Sequence, residues 1–183
     1  MRATGNDCMN FCGLIENDIA NGIGVRVSLF VSGCTNRCKG CFQPETWDFN
    51  YGKEFTSAVA EHIIAELSKS YYHGITILGG EPFEEVNQRG IVDFISDIRE
   101  RLSDKSIWMY TGFTYDKDLV SGGKRYIEGV TDKILDNIDI LVDGKFILEQ
   151  KQLGLRFRGS KNQRIIDMKK SRKAGHVVLS EYN

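Results

Sequence analysis

No stretch of this sequence approaches the roughly 18 consecutive apolar residues of a membrane-spanning helix, so a transmembrane segment is not expected. The N-terminal MRATGNDCMNFCG has no uninterrupted apolar run behind a basic start and does not read as a secretory signal. An excess of one charge is missing too: 24 Lys and Arg stand against 25 Asp and Glu, a formal net charge of −1. That balance gives no general attraction to nucleic acid or anionic lipid, and neither is expected as a partner. Internal repeats, low-complexity tracts and a dividing linker are absent. Only three histidines occur, His62, His73 and His176, with no spacing that suggests a metal site, and they read as structural or surface residues. What remains is 183 residues, 41% hydrophobic and 27% charged, a composition that excludes general disorder and fits one folded domain over residues 1–183. The expected compartment is the cytosol.

Five cysteines occur, an odd number, and three of them fall within eight residues: Cys34-Thr35-Asn36-Arg37-Cys38-Lys39-Gly40-Cys41. In a reducing cytosol such clustering speaks for metal ligation rather than a disulfide frame. The spacing C-x3-C-x2-C gathers three sulfurs around one small volume, with Gly33 and Gly40 letting the backbone curl. A closed zinc site wants four N or S ligands, and the nearest fourth candidates are distant. Three thiolates can instead hold three irons of a [4Fe–4S] cubane and leave the fourth open to a substrate. Cys8 and Cys12 are too few for a second cluster and read as buried or incidental thiols.

Residues 25–31 alternate, with Val25, Val27, Leu29 and Val31 on one face and Arg26, Ser28 and Phe30 on the other, which predicts a strand. The cysteine loop follows it directly after Ser32-Gly33. Thr56 to Ser70 reads as a helix, with Val59, Ile63, Ile64 and Leu67 at helical spacing and Thr56 or Ser57 as its cap. Gly74 to Leu78 is a short apolar strand followed by Gly79-Gly80-Glu81-Pro82. Val86 to Leu102 reads as a second helix. Ser106 to Tyr110 is a third strand ending in Thr111-Gly112, and Ile138 to Val142 a fourth ending in Asp143-Gly144-Lys145-Phe146. Ser121-Gly122-Gly123 divides the stretch from Phe113 to Lys133 into one or two short helices. Arg164 to Met168 and His176 to Ser180 are weaker strand candidates. Strands alternating with amphipathic helices imply parallel βαβ units. In (β/α) barrels the loops after the strands converge on the active site, and a full barrel takes about 250 residues. The expected fold class is α/β, a partial, open (β/α) TIM-like barrel whose gap faces a partner.

The cysteine loop, Phe42 directly after its last cysteine, and Gly79-Gly80-Glu81-Pro82 at the next strand end together resemble the radical S-adenosylmethionine superfamily. Further segments narrow the resemblance: Asn21-Gly22-Ile23-Gly24-Val25-Arg26, the run from Leu29 to Cys34, Thr46-Trp47, Asp143-Gly144-Lys145-Phe146, and Arg158-Gly159-Ser160-Lys161-Asn162-Gln163-Arg164. These are similar to the activating proteins of anaerobic ribonucleoside-triphosphate reductase, a family of glycyl-radical enzyme activases, from about Gly13 to about Met168. The resemblance implies a barrel of the radical S-adenosylmethionine type. It implies that Cys34, Cys38 and Cys41 hold one [4Fe–4S] cluster and carry the catalysis, and that S-adenosylmethionine chelates the open iron. Gly40, Cys41 and Phe42 would line the adenine side, and Gly80 would offer backbone to the methionine amino group. An electron from an external donor, a flavodoxin, would cleave the sulfonium. The 5′-deoxyadenosyl radical would then take hydrogen from a glycine near the C-terminus of the reductase's catalytic subunit. The cofactor carries the difficult chemistry, and the protein supplies binding, orientation and exclusion of water. A chain this short spends most of its length on that scaffold, which favours an extended glycine loop as the substrate.

Plainer readings stand beside these. Gly79-Gly80-Glu81-Pro82 also suits an ordinary turn, and Phe42 an ordinary core position. The basic segment from Arg156 to Arg164 reads as a dock for the reductase or a loop over the cofactor, with a solvated surface or a weak nucleic-acid patch as alternatives. Asp143 is placed near the site, with its role open. Two rival functions keep the cofactor: activation of another glycyl-radical enzyme such as pyruvate formate-lyase, or small-molecule chemistry of the compact 7-carboxy-7-deazaguanine synthase kind. Against both stand the Asn-Gly-x-Gly start and the Arg-Gly-Ser-x-Asn-Gln-Arg tail. A third, of a different class, is a non-enzymatic iron–sulfur or zinc interaction module.

Overall fold

The computed structural model describes residues 8–183; the N-terminal reading against a secretory signal falls largely on residues 1–7, outside the described residues. The strands are β1 (Asn10–Asp18), β2 (Arg26–Val31), β3 (Lys53–Glu54), β4 (Gly74–Gly79), β5 (Ser106–Tyr110), β6 (Ile140–Asp143) and β7 (Arg164–Asp167). The helices are α1 (Ser57–Leu67), α2 (Glu85–Arg101), α3 (Tyr115–Asp118), α4 (Thr131–Asn137) and α5 (Met168–Ala174). One open seven-stranded sheet results, in the order β3-β1-β2-β4-β5-β6-β7. Its centre, β2-β4-β5-β6, is parallel, as the alternation of strands and helices predicts. The edges are antiparallel: β1 and β3 on one side and β7 on the other.

The four central strands and the two long helices fall where hydrophobic period predicts them. Thr56 caps α1, its hydroxyl accepting from the amide of Val59 at 3.4 Å. Ile91, Phe94, Ile95 and Ile98 of α2 are buried against the sheet with Ile63, Ile64 and Leu67 of α1. The segment from Phe113 to Lys133 contributes α3 and the start of α4, with turns between. Three elements escape the sequence reading. β1 has register shifts and a left-handed residue, Asn17 (φ 60°), so no clean alternation marks it. β3 is two residues long. α5 replaces the continuation into a second C-terminal strand, and His176–Ser180 makes only an isolated bridge, Leu179 to Ile166. Asp167 starts α5 by accepting from the amide of Lys170 at 2.9 Å, and Gly175 ends it at φ 71°.

All five helices contribute buried residues to one large apolar cluster with Val27, Leu29, Val31, Ile75, Ile77, Ile107, Met109, Leu141 and Ile166. The alternate positions on the strands face the other way, as period two requires. There Trp108, Ile140, Val142 and Ile165 are covered by Ile23, Phe157 and Tyr182. Arg26 shares that face and is completely buried. Its Nε donates to Thr76 Oγ1 at 2.7 Å, and its two terminal nitrogens reach Ile23 O, Ile75 O, Ser106 O and Ser106 Oγ at 2.6–3.1 Å. Trp108 stacks its ring 5.3 Å from the guanidinium. Burial pulls the Arg26 pKa down to about 10, which leaves it cationic at neutral pH. One side chain therefore ties the N-terminal ends of β2, β4 and β5 together.

Candidate functional site

At the opposite, C-terminal ends of the same strands lies a cavity of about 380 Å³. The cysteine loop after β2, Gly79-Gly80-Glu81 after β4, Thr111-Gly112 after β5 and Gly144 after β6 all line it. This is the convergence of strand-end loops that parallel βαβ geometry produces. Cys34, Cys38 and Cys41 all face it, as do Gly40, Phe42 and Gly80. Cys34 is buried and the other two thiols are half-buried. Cys8 and Cys12 do not reach it; Cys12 lies on β1, its thiol donating to Phe30 O at 3.5 Å. Phe42 is 98% exposed, so its reading as a core residue is wrong.

The loop's curl rests on two left-handed glycines, Gly33 (φ 90°) and Gly40 (φ 73°). The amides of Gly33 and Cys34 donate to Thr46 O and Trp47 O at 2.8 and 3.4 Å, which seats the loop on the turn at Pro44–Trp47. Gly80 passes so close that a Cβ there would lie 2.6 Å from Gly33 O.

Two carboxylates hold the loop from below. Glu81 is fully buried and accepts four hydrogen bonds: Phe83 N at 3.0 Å, Thr111 Oγ1 at 2.7 Å, Gly112 N at 2.7 Å and Asn36 Nδ2 at 2.9 Å. Three strand-end loops thus meet on one side chain. Burial still pushes its carboxyl up to about 7, against the pull of those donors. Glu84 accepts from Thr35 N at 2.9 Å and Thr35 Oγ1 at 2.5 Å, and pairs with Arg125 at 3.1 Å. Sequence reading singled out the Gly-Gly-Glu-Pro motif but gave neither carboxylate this task. The two acids three residues apart were the available sign. Nothing local marked Arg125.

Burial pushes the Cys34 thiol up to about 11, helped by Glu81, and raises Cys38 as well, with Lys145 partly opposing. Both are therefore protonated thiols at neutral pH, and any metal must displace protons to bind them. Among the described residues no three His, Cys, Asp or Glu side chains are arranged to hold a single metal ion. A cubane spreads its thiolates over separate irons, so three cysteines around a common cavity suit a cluster better than a lone ion.

Part of the lining comes from the C-terminal motif. Gln163 and Gly159 line the cavity. Gln163 Oε1 accepts from Gly159 N and Ser160 N at 2.7 and 3.1 Å, and its Nε2 donates to Gly144 O at 2.9 Å. Asp143, whose role the sequence left open, accepts from Arg164 Nε at 2.9 Å and Tyr115 N at 2.8 Å. It joins β6, β7 and the start of α3 from outside the cavity. Arg164 is engaged with Asp143 and Asp116. The histidines lie elsewhere: His73 Nδ1 accepts from Val25 N at 3.1 Å, His62 sits 3.4 Å from Glu16, and His176 is exposed.

No helix among the described residues is long and apolar enough to cross a membrane. A family described as a 4Fe-4S single cluster domain matches residues 20–166, which takes in the cysteine loop and every strand-end loop of the cavity. The anaerobic ribonucleoside-triphosphate reductase-activating protein of Vibrio cholerae is 36% identical over 157 residues, 85% of this chain and 96% of that protein. Its namesake in Escherichia coli K12 gives the same figures. That of Enterobacteria phage T4 is 35% identical over 161 residues, 86% of this chain and 93% of its own. The chain thus belongs to the 4Fe-4S single cluster domain family and, within it, to the activating proteins of anaerobic ribonucleoside-triphosphate reductase.

Proposed function

We propose that this chain is a radical S-adenosylmethionine activase that generates a glycyl radical on anaerobic ribonucleoside-triphosphate reductase, with Cys34, Cys38 and Cys41 as ligands of one [4Fe–4S] cluster. The observation that carries the reading is three thiols on one cavity at the C-terminal ends of parallel strands, with no fourth cysteine or any histidine lining it among the described residues. Three ligands leave an iron for a substrate. The donor set fits, and the glycines lining the same cavity leave room. In this reading the open sheet is a partial (β/α) barrel of the radical S-adenosylmethionine type. When bound, such a cluster would supply the one-electron chemistry for reductive cleavage of S-adenosylmethionine, by which hydrogen would be taken from a glycine near the reductase's C-terminus.

The chain's own residues bind and orient. Gly80 donates its amide to Val31 O at 2.7 Å, so its carbonyl is the group presented to the methionine ammonium. Phe42, beside Gly40 and Cys41, offers an uncovered ring to the adenine. Gln163 and Gly159 line the same cavity and limit water. The glycine segment enters at the open side of the sheet. The electron donor is a flavodoxin, and the setting is the reducing cytosol, where the thiols stay available.

The test is EPR of anaerobically reconstituted, reduced protein, first with S-adenosylmethionine and then with the reductase. The expected result is a cluster signal altered by the cofactor and then a glycyl doublet, both lost in Cys38→Ser. Cofactor cleavage that never yields the doublet would overturn the substrate assignment. Zinc without iron or sulfide would overturn the enzyme reading altogether.

A further inference from the structure

The first half of the cysteine loop carries its own clamp, and part of it arrives from far along the chain. Thr35 follows the first cysteine, and both its amide and its hydroxyl donate to Glu84 Oε1, at 2.9 and 2.5 Å. Arg125 closes the arrangement. Its Nη2 donates to Thr35 Oγ1 at 2.6 Å, and its Nη1 lies 3.1 Å from Glu84 Oε2. Glu84 is 3% exposed, so its charge needs this partner. Arg125 is itself held on three sides. Its backbone amide donates to Asp118 O at 2.9 Å, its carbonyl accepts from Gln88 Nε2 at 2.8 Å, and its guanidinium stacks 4.7 Å from the ring of Phe113.

Nothing in the cavity needs Arg125 for shape, since it does not line the cavity. Its guanidinium reaches Thr35, the residue directly after Cys34, and the Glu84 carboxylate that holds Thr35. We propose that Arg125, acting through Glu84 and Thr35, is a positioning residue that fixes Cys34 for cluster binding and sets the retention and potential of the cluster. The inference rests on the ligand set proposed above. Physically, a ligand is worth more when its loop is already ordered, and partners one contact removed from a metal centre commonly govern affinity by about 10–100-fold. The charge matters as well as the contact. Removing the guanidinium leaves the Glu84 carboxylate uncompensated beside the loop, which disfavours the more negative, reduced cluster.

The experiment compares reconstituted wild-type protein with Arg125→Met, Arg125→Lys and Thr35→Val. It reads iron and sulfide per chain, the rate of iron loss to a chelator, the midpoint potential, and the melting temperature before reconstitution. Arg125→Met is expected to lose iron about tenfold faster than wild type and to have a more negative potential. Arg125→Lys is expected to recover much of the potential, since it keeps the charge, but only part of the retention. Thr35→Val keeps the ion pair, so it is expected to speed iron loss with little change in potential. Should Arg125→Met fail to fold, Thr35→Val and Arg125→Lys decide the matter through iron loss alone. Wild-type rates and potential in every folded variant would overturn the inference while leaving the ligand set standing. A wild-type chain that takes up no cluster on Cys34, Cys38 and Cys41 overturns the ligand set, and this inference with it.

Discussion

At their N-terminal ends, β2, β4 and β5 are closed by one buried side chain; at their C-terminal ends the same three strands open into a cavity walled by glycines and thiols. Arg26 has every guanidinium nitrogen paired, and Trp108 stacks on it. The other end has no comparable plug. Its loops are held by hydrogen bonds to Glu81 and Glu84 that stop short of filling the space between them. The difference separates two jobs. One end is filled and satisfied, which stabilises the sheet. The other is ordered but hollow, which leaves room for a cofactor and its target.

Arg26→Met tests that division most severely. It removes the Arg26 donor from the carbonyls of Ile23, Ile75 and Ser106, and each group so stranded costs about 1–3 kcal/mol. The expected loss of unfolding free energy is about 4 kcal/mol by urea denaturation, with iron per folded chain unchanged. A variant that keeps its stability but loses iron would erase the distinction between the ends.

Glu81 gives the second test, through pH. Its folded carboxyl holds a proton up to about 7, whereas the unfolded one releases it near 4.5. The folded state therefore binds more protons across that window, so this contribution is full below about 4.5 and lost as pH rises through about 7. Urea midpoints of the cluster-free chain should fall over that range by the equivalent of up to about 3 kcal/mol, and Glu81→Gln should flatten the slope. A slope unchanged by Glu81→Gln would assign the pH dependence to other groups.

The smallest effect is expected from the thiols that sit at neither end. Cys8→Ser with Cys12→Ser should shift stability by no more than about 1 kcal/mol and leave iron content and activation unchanged. A fall in iron content would show that the site extends to β1.

The central strands and both long helices were legible because their signal is periodic and local: apolar residues every second position in β2, and at helical spacing in α1 and α2. Strand ends were legible too, since Gly79-Gly80-Glu81-Pro82 and Thr111-Gly112 break that period where the cavity forms. β1 was not, because its bulged pairing removes the alternation. For Phe42 the sequence left an adenine contact and a core position both open, because an aromatic in a sequence does not show which side of a loop it takes; its exposure removes the core alternative.

Residue order alone specifies the cysteine spacing, the βαβ succession and the family, because each is written in runs of a few neighbours. The partners of Arg26, Arg125 and Arg164 were settled only when distant segments met. Arg125 reaches Thr35 across 90 residues, Arg26 reaches Ser106 across 80, and Arg164 reaches Asp143 across 21. An arginine or glutamate carries no local mark of its eventual partner. Burial, which makes that partner necessary, exists only once the sheet and helices have packed.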